Sequence, residues 1–291
     1  MSTLSAEPTS FNEKSSHTAD SVAYRRTFTS IPFSKEIFEI LEDIVGPIDP
    51  HQKERADSYP IIMPLFESRY IVTDREIRKA GITQILELAS GLSPRGFVWA
   101  QDPAVTVVEI DLPEKMRLKK RIIERLHGLN GTSHFAGLHL VEGNVTNPHT
   151  VAAAGSYFLP SLPVAVVCEG LLRYMDWEDK EALVESVRTT LQVQQGGMWV
   201  TPDIELLSDI TTPAAHKRYD EMVKTIGMDV RPNLFRDMEH AVEFFQGFGF
   251  KVSIHRHTDV ISELTSPKAL GLSAEAVHEE LSKRFTFTMS L

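Results

Sequence analysis

A single cysteine, Cys168, stands in 291 residues. That excludes an internal disulfide and any cysteine-built zinc site, and it makes a reducing compartment, the cytoplasm, the expected address. Nowhere does the chain run through the roughly eighteen consecutive apolar residues that a membrane-spanning helix requires, so a membrane is not an expected partner. Positive charge is also short: 30 lysines and arginines against 40 acids leave a net charge of -10. Nucleic acid, whose backbone demands a broad basic face, is therefore not an expected partner either. Internal repeats and low-complexity tracts are missing, which removes solenoids and linker arrays. The opening stretch MSTLSAEPTSFNEKSSH has neither the apolar run of a secretory signal nor the basic, acid-poor pattern of a transit peptide, and residues 1–17 read as a flexible tail. Eleven histidines are scattered along the chain, and no metal site is expected.

What the chain does have is alternation. Apolar runs ITQILEL, VTVVEID, LHLVEGN, PVAVVCEG and GGMWVTPD follow one another from Ile82 onward, separated by helical stretches. That order predicts a parallel sheet with crossover helices. One helix starts at Ser34, with Ile37, Phe38, Leu41 and Ile44 on one face and Gly46 to stop it. Pro113 opens another, with Met116, Ile122, Ile123 and Leu126 as its stripe and Gly128 as its left-handed stop. Asp176 with Asp179 reads as a cap before Leu183, Val184, Val187 and Leu191, and Asn233 as the cap of a helix through Met238, Val242 and Phe245. GPIDPHQKERADSYP, prolyl and charged, reads as a loop or mobile cover, and FKVSIHRH and RFTFTMS read as closing strands. The long connection from Thr201 to Pro232 contains the helical stretch AAHKRYDEMVKTIG and reads as a lid insertion over about 204–232. The tail is thus followed by an N-terminal helical cap over 18–80 and a core over 81–291 that carries the lid.

In an open parallel sheet, ligands bind beyond the carboxyl ends of the strands, where the strand order reverses. Those ends are polar here: Glu87 closes the first run, Glu109 and Asp111 the second, Asn144 the third and Glu169 the fourth. One polar residue at a strand end says little, because strand ends are exposed anyway. Several in register make a site rich in acceptors, suited to hydroxyls, amino groups or a cation and poor for a bare phosphate. Asp111 has the most specific place, 24 residues after Glu87, where dinucleotide-type folds put an acid that grips ribose hydroxyls. The fingerprint G-x-G-x-x-G is lacking, since Ala89 stands at the first glycine of ASGLSPRG. Phosphate cradling is disfavoured, while Gly91 still lets the backbone approach a ligand.

ILELASGLSPRG, VTVVEIDLPE, EGN and CEGLLRYMD, in that order, resemble the leucine carboxyl methyltransferase family, whose members include tetracenomycin-type polyketide O-methyltransferases. The family pattern is roughly E-L-G-A-G-L-D-T-R, then E-V-D-x-P, an acidic turn, and E-G-x-x-x-Y. TADSVAYRR and ESRYIVTDREI resemble its amino-terminal stretches, so the likeness spans about residues 18 to 176. This resemblance implies an α/β fold of the class I methyltransferase type: a Rossmann-like, mostly parallel sheet with helices on both faces and an antiparallel last strand, a helical N-terminal extension and a lid insertion. It implies S-adenosyl-L-methionine as the cofactor, with Glu87, Ala89 and Gly91 around its methionine part and Asp111 on the ribose hydroxyls. Asn144 and Val145 stand where the family has an acid and a leucine beside the adenine, and Glu169 would face the amino group or the sulfonium. Arg69 and Arg26 would reach the carboxylate, with Arg25 as an alternative to Arg26. Ser93 and Pro94 replace the family's Asp-Thr, so the role of that acid does not carry over, and Arg95 is left to hold the loop.

Methyl transfer from a sulfonium is a displacement in which the protein chiefly holds an acceptor in line and keeps water away. Position alone is worth about 7 to 11 kcal/mol of barrier. An acceptor carboxylate needs no base, whereas a phenol with a pKa near 10 gains from one. No catalytic base can be named from the sequence. Arg173 and Tyr174 beside the fourth strand's tip, His216 and Tyr219 in the lid, and His51 and Tyr59 in the early loop are the candidates to face the acceptor. The expected activity is methyl transfer to a hydroxyl or carboxylate of a small molecule, a polyketide-like secondary metabolite being one class; that acceptor is the expected partner, and the oligomeric state stays open. The alternatives are methylation of a protein's carboxyl terminus, a nicotinamide-dependent oxidoreductase on the same layers, and a cofactor-binding protein without turnover. Acids at the strand tips weigh against the oxidoreductase, because a diphosphate would be repelled there.

Overall fold

The computed structural model describes residues 11–131 and 135–291. Residues 1–10 of the stretch that reads as a tail lie outside the described residues, while its remainder already belongs to helix α1, Phe11–Arg26. Helices α2 (Ser34–Val45), α3 (Pro50–Asp57) and α4 (Ile62–Ala80) follow it, ahead of the sheet. α2 buries Ile37, Phe38 and Leu41, as its spacing predicts, although the residue before it, Phe33, takes a left-handed φ of 60° and supplies no side-chain cap. α3 forms inside the stretch whose prolines and charges read as a loop. Asp49 accepts the His51 amide at 2.8 Å and Pro50 fills the first helical position, a start signal that outweighs the polar composition.

The core then alternates: β1 (Gln84–Leu88), α5 (Arg95–Trp99), β2 (Thr106–Asp111), α6 (Pro113–Asn130), β3 (Leu138–Glu142), α7 (Pro148–Ala154), β4 (Val164–Cys168), α8 (Trp177–Val193) and β5 (Gly197–Thr201). After it come α9 (Pro213–Ile226), α10 (Met238–Gly247), β6 (Lys251–Arg256), α11 (Ser266–Ala269), α12 (Ala274–Leu281) and β7 (Phe285–Ser290). The strands form one sheet in the order β3-β2-β1-β4-β5-β7-β6. Pairs among β1 to β5 are parallel, and β7 inserts antiparallel between β5 and β6. This is the mostly parallel, class I methyltransferase sheet that the resemblance implies.

β1 and β4 are buried along their whole lengths, and their alternate residues face opposite layers. Leu86, Leu88, Val166 and Cys168 pack with α7, α8 and α10 residues on one side; Ile85, Ala165 and Val167 pack with Ile77 of α4 and Trp99 on the other. Strand order reverses between β1 and β4, so the crevice beyond their carboxyl ends is where this topology opens.

Several boundaries differ from the sequence expectation. α6 runs past Gly128 and stops at Gly131, which has φ 62°. α10 is capped by Asp237, which accepts the His240 amide at 2.8 Å, whereas Asn233 sits in a separate 3-10 turn. Asp176 does cap α8, accepting the Asp179 amide at 2.9 Å. The short helices α11 and α12 have no counterpart in the sequence expectation. Among the described residues no helix is long and apolar enough to cross a membrane.

Candidate functional site

β1 ends on Glu87 and Leu88, and β4 is followed at once by Glu169. Arg95, fully buried at the start of α5, lies between them. Its Nη1 donates to Glu87 at 2.6 Å, its Nε to Asp74 of α4 at 2.8 Å and its Nη2 to Glu169 at 3.2 Å. The guanidinium also sits 4.8 Å from the centre of the Tyr70 ring. Arg26, in the last turn of α1, donates to Glu169 at 3.4 Å, and Arg69 Nε of α4 stands 3.9 Å from the same oxygen. Arg69 pairs in addition with Asp203, just beyond β5. Asp203 turns back to accept the amides of Gly170, Leu171 and Leu172 at 2.6, 2.7 and 3.2 Å, which fixes the loop after β4.

Four carboxylates (Asp74, Glu87, Glu169, Asp203) therefore surround three guanidiniums (Arg26, Arg69, Arg95), a formal excess of one negative charge. Burial alone would raise the pKa of Glu169, yet Arg95, Arg26 and Arg69 together bring it down to about 2. Glu87 and Glu169 are thus paired with arginines, not free acceptors as their sequence positions suggest. Even so, Glu87 Oε2, Arg26 Nε, Arg69 Nε and the Tyr70 hydroxyl are buried without a hydrogen-bond partner. Groups of this kind are normally satisfied. The cluster thus holds both donors and an acceptor without a hydrogen-bond partner.

At the tip of β2, Asp111 accepts the Gly91 amide at 2.6 Å through Oδ2 and the Leu112 amide at 2.7 Å through Oδ1. Each oxygen keeps a second lone pair, and burial pushes the carboxyl above its ordinary pKa. Ala89 and Gly91 both adopt left-handed backbone, with φ 51° and 52°. For alanine that conformation costs roughly 1–2 kcal/mol, so the turn is held from outside. α1 lies across it: Ala19 approaches Gly91, and Asp20 pairs with Lys115 of α6 at 3.3 Å. Asn144 is exposed, and its Oδ1 accepts the Thr146 amide at 3.0 Å, closing its own turn; its neighbour Val145 is buried. Glu109 stays out of the arginine cluster and pairs with Lys119 at 2.6 Å.

Beyond β4 and β5, Arg173 pairs with Glu205, which also accepts the hydroxyl of Tyr219 on α9 at 3.1 Å. Tyr174 lies 5.9 Å from the Arg173 guanidinium, ring centre to carbon. Burial and then Glu205 push the Tyr219 phenol up to about 12. Burial opposes ionisation of Glu205, but Arg173 and Arg284 hold its pKa below the ordinary carboxylate range. His216 is exposed on α9, and the structure does not bring it into this group. Of the early-loop candidates, His51 is exposed, while the Tyr59 hydroxyl accepts from Arg218 of α9 at 2.9 Å and ties α9 to the segment before α4.

The sequence reasoning thus missed Arg95 as a hub, its partner Asp74, and Asp203, Glu205 and Lys119. Asp203 carried a usable signal: it closes GGMWVTPD, so the rule that selects Glu169 after the fourth run selects it after the fifth.

Residues 49–188 match the model of the family described as leucine carboxyl methyltransferase. Over 239 residues the chain is 26% identical to a protein of Mycobacterium avium (strain 104), provisionally named an S-adenosyl-L-methionine-dependent methyltransferase, covering 80% of this chain and 72% of that one. A protein of the same provisional name from Mycobacterium marinum (strain ATCC BAA-535 / M) is 29% identical over 151 residues, which are 52% of this chain and 44% of that one. Among solved structures, a provisionally named O-methyltransferase from Nostoc punctiforme PCC 73102 superposes with a TM-score of 0.49 at 14% identity, covering 92% of this chain and 72% of that one.

Proposed function

We propose, from the match of residues 49–188 to the leucine carboxyl methyltransferase family, that this S-adenosylmethionine-dependent methyltransferase methylates an oxygen of a small, anionic acceptor, a carboxylate or an acidic phenol of the kind polyketide-like secondary metabolites carry. The residues at the strand tips fit the cofactor. Asp111 has lone pairs for the ribose hydroxyls, Arg26 and Arg69 have Nε donors without a hydrogen-bond partner for the carboxylate, and Glu87 Oε2 is an acceptor for the ammonium. The cluster's excess negative charge suits a ligand that is cationic overall. When bound, the cofactor supplies an electrophilic methyl group on a positively charged sulfur.

The observation that carries the acceptor class is the group Arg173, Glu205 and Tyr219. Arg173 is a fixed cation, Glu205 is ionised below its ordinary range, and Tyr219 keeps its proton up to about 12. None of the three changes its protonation near neutrality. Such a group can orient an acceptor, Arg173 Nε being a donor without a hydrogen-bond partner, but cannot take its proton. An acceptor that arrives as an anion needs nothing more.

At saturating cofactor, kcat/KM for an aromatic carboxylic acid is expected to be flat between about pH 6 and 9, and Arg173→Met to raise the acceptor KM about tenfold without altering cofactor affinity. A rise in rate with pH, together with preference for unactivated phenols, would refute the anionic acceptor. Asp111→Ala is expected to weaken S-adenosylmethionine binding more than about tenfold by calorimetry, on the order of 1.5–3 kcal/mol. Unchanged affinity in a folded variant would remove Asp111 from the site.

A further inference from the structure

Beneath the loop over 89–96 lies a buried ion pair that methyl transfer does not consume. The Lys119 side chain, from α6, is 3% exposed, that of Glu109, on β2, is fully buried, and their charged atoms are 2.6 Å apart. Lys119 Nζ also donates to Ser90 Oγ at 3.1 Å, while Glu109 Oε1 accepts the Gly96 amide at 3.2 Å. The pair therefore touches one end of the loop through its lysine and the other end through its glutamate. Between those two holds stand Gly91, whose amide rests on Asp111, and Arg95, the centre of the arginine cluster.

Gly96 shows how closely the carboxylate approaches. A Cβ there would lie 2.4 Å from Glu109 Oε1 and 2.7 Å from its carboxyl carbon. Glycine at 96 is set by this approach, in contrast to Gly91, where left-handed backbone sets it. A buried ion pair is weak evidence for stability, because apolar residues of the same volume often do as well or better. The placement of this one calls for another reason.

We infer that Lys119 and Glu109 form a clasp that fixes both ends of the 89–96 loop in its cofactor-binding shape, and so are positioning residues for the transfer. This rests on the reading that the loop lines the cofactor. The groups facing Glu109 are Lys119 from α6, Glu87 from β1 and the Gly96 amide of α5. Burial lifts Glu109 to about 7 against the pull of Lys119, with Glu87 adding to the rise. Below that pH the carboxyl takes up a proton, the lysine loses its counter-charge and the clasp slackens. Loop order and global stability then move in opposite directions. A carboxyl raised from 4.5 to about 7 makes the folded state lose stability as pH rises between those values, while the same ionisation tightens the loop.

The test uses the full chain with Lys119→Met, Glu109→Gln and the pair combined. In Lys119→Met the cofactor KM is expected to rise about tenfold, roughly 1.4 kcal/mol, with kcat at saturating cofactor within about twofold of wild type. Amide exchange over 89–96 in the cofactor-free protein is expected to quicken about tenfold while the β6–β7 ladder is unchanged. Wild-type cofactor KM is expected to climb as pH drops from about 8 to 6, and Glu109→Gln to flatten that climb. If Lys119→Met does not fold, the combined variant, which buries no lone charge, is read by the same exchange and KM measurements. Wild-type exchange and KM in a folded variant, or an unaltered pH profile in Glu109→Gln, would overturn the clasp. Faster exchange in a protein that binds no S-adenosylmethionine even as wild type would instead strike the cofactor reading and leave the clasp standing.

Discussion

Arg95 directs all three of its nitrogens at carboxylates, and those partners lie 21, 8 and 74 residues away along the chain. No periodicity links such positions, which is why the sequence suggests only that Arg95 holds its loop. Lysine cannot reproduce the geometry, since an ammonium is a point charge without a planar fork. Arg95→Lys is expected to cost about 3–5 kcal/mol in urea unfolding, because at least one buried carboxylate loses its partner. Glu67 poses the same problem with backbone and hydroxyl donors. It is fully buried and accepts six hydrogen bonds, from the amides and hydroxyls of Ser30, Thr265 and Ser266. Burial would raise its pKa, but these donors bring it below the ordinary value. Glu67→Gln turns an amide NH2 toward one set of donors, and a loss of about 2–3 kcal/mol by urea unfolding is expected. In the sequence Glu67, Arg69 and Asp74 sit in ESRYIVTDREIRKA, which reads as a solvated, charged helix; only burial on several sides shows otherwise.

At the scale of elements, α4 joins the N-terminal helices to the sheet and its flanking segments. Glu67 reaches the loop before α2 and the start of α11, Ser68 meets His257 at 3.0 Å, Arg69 meets Asp203, and Asp74 meets Arg95 and Trp99. A polar helix can be buried in this way because each of these groups finds a partner on a different neighbour. α9 is the counterpart after β5, bonded to Glu205 through Tyr219 and to Tyr59, before α4, through Arg218. Its helical pattern and its placement in a long connection were both legible in AAHKRYDEMVKTIG. Which of its side chains faces inward was not, since Tyr219 is buried and His216 exposed. Tyr219→Phe removes only the hydroxyl that restrains Glu205. The acceptor KM is expected to rise about five- to tenfold at unchanged cofactor affinity, measured by separate titrations of the two substrates.

Across the whole molecule, three buried groups make large contributions to the response to acid, beside carboxyls such as Glu67 and Glu205. His257, between Ser68 and Thr286, is brought to about 3 by burial, with Arg69 and Arg284 adding to the effect. The unfolded histidine takes its proton below 6.5 and the folded one does not, so stability is lost as pH falls from 6.5 towards 3. Glu109 acts with the opposite sign between about 7 and 4.5. The two nearly offset each other down to about pH 4.5, below which the ion pairs of Glu169 are lost as pH falls towards 2. Calorimetry is expected to show a nearly level Tm from about pH 7 to 4.5 and a steep fall below, with His257→Gln converting the level stretch into a rise toward acid. By itself the sequence determined the alternation of strands and helices, the sheet's direction and the strand ends at which a site could open, because periodicity and punctuation are local properties of the chain. The tertiary structure alone decided that arginines from α1, α4 and α5 pair with the acids after β1 and β4, that Lys119 and Glu109 clasp the loop between them, and that Glu205 joins Tyr219 of α9 to Arg173. Each of these is a pairing of buried charges between distant segments, and it becomes favourable only once folding has removed the water that would otherwise solvate them.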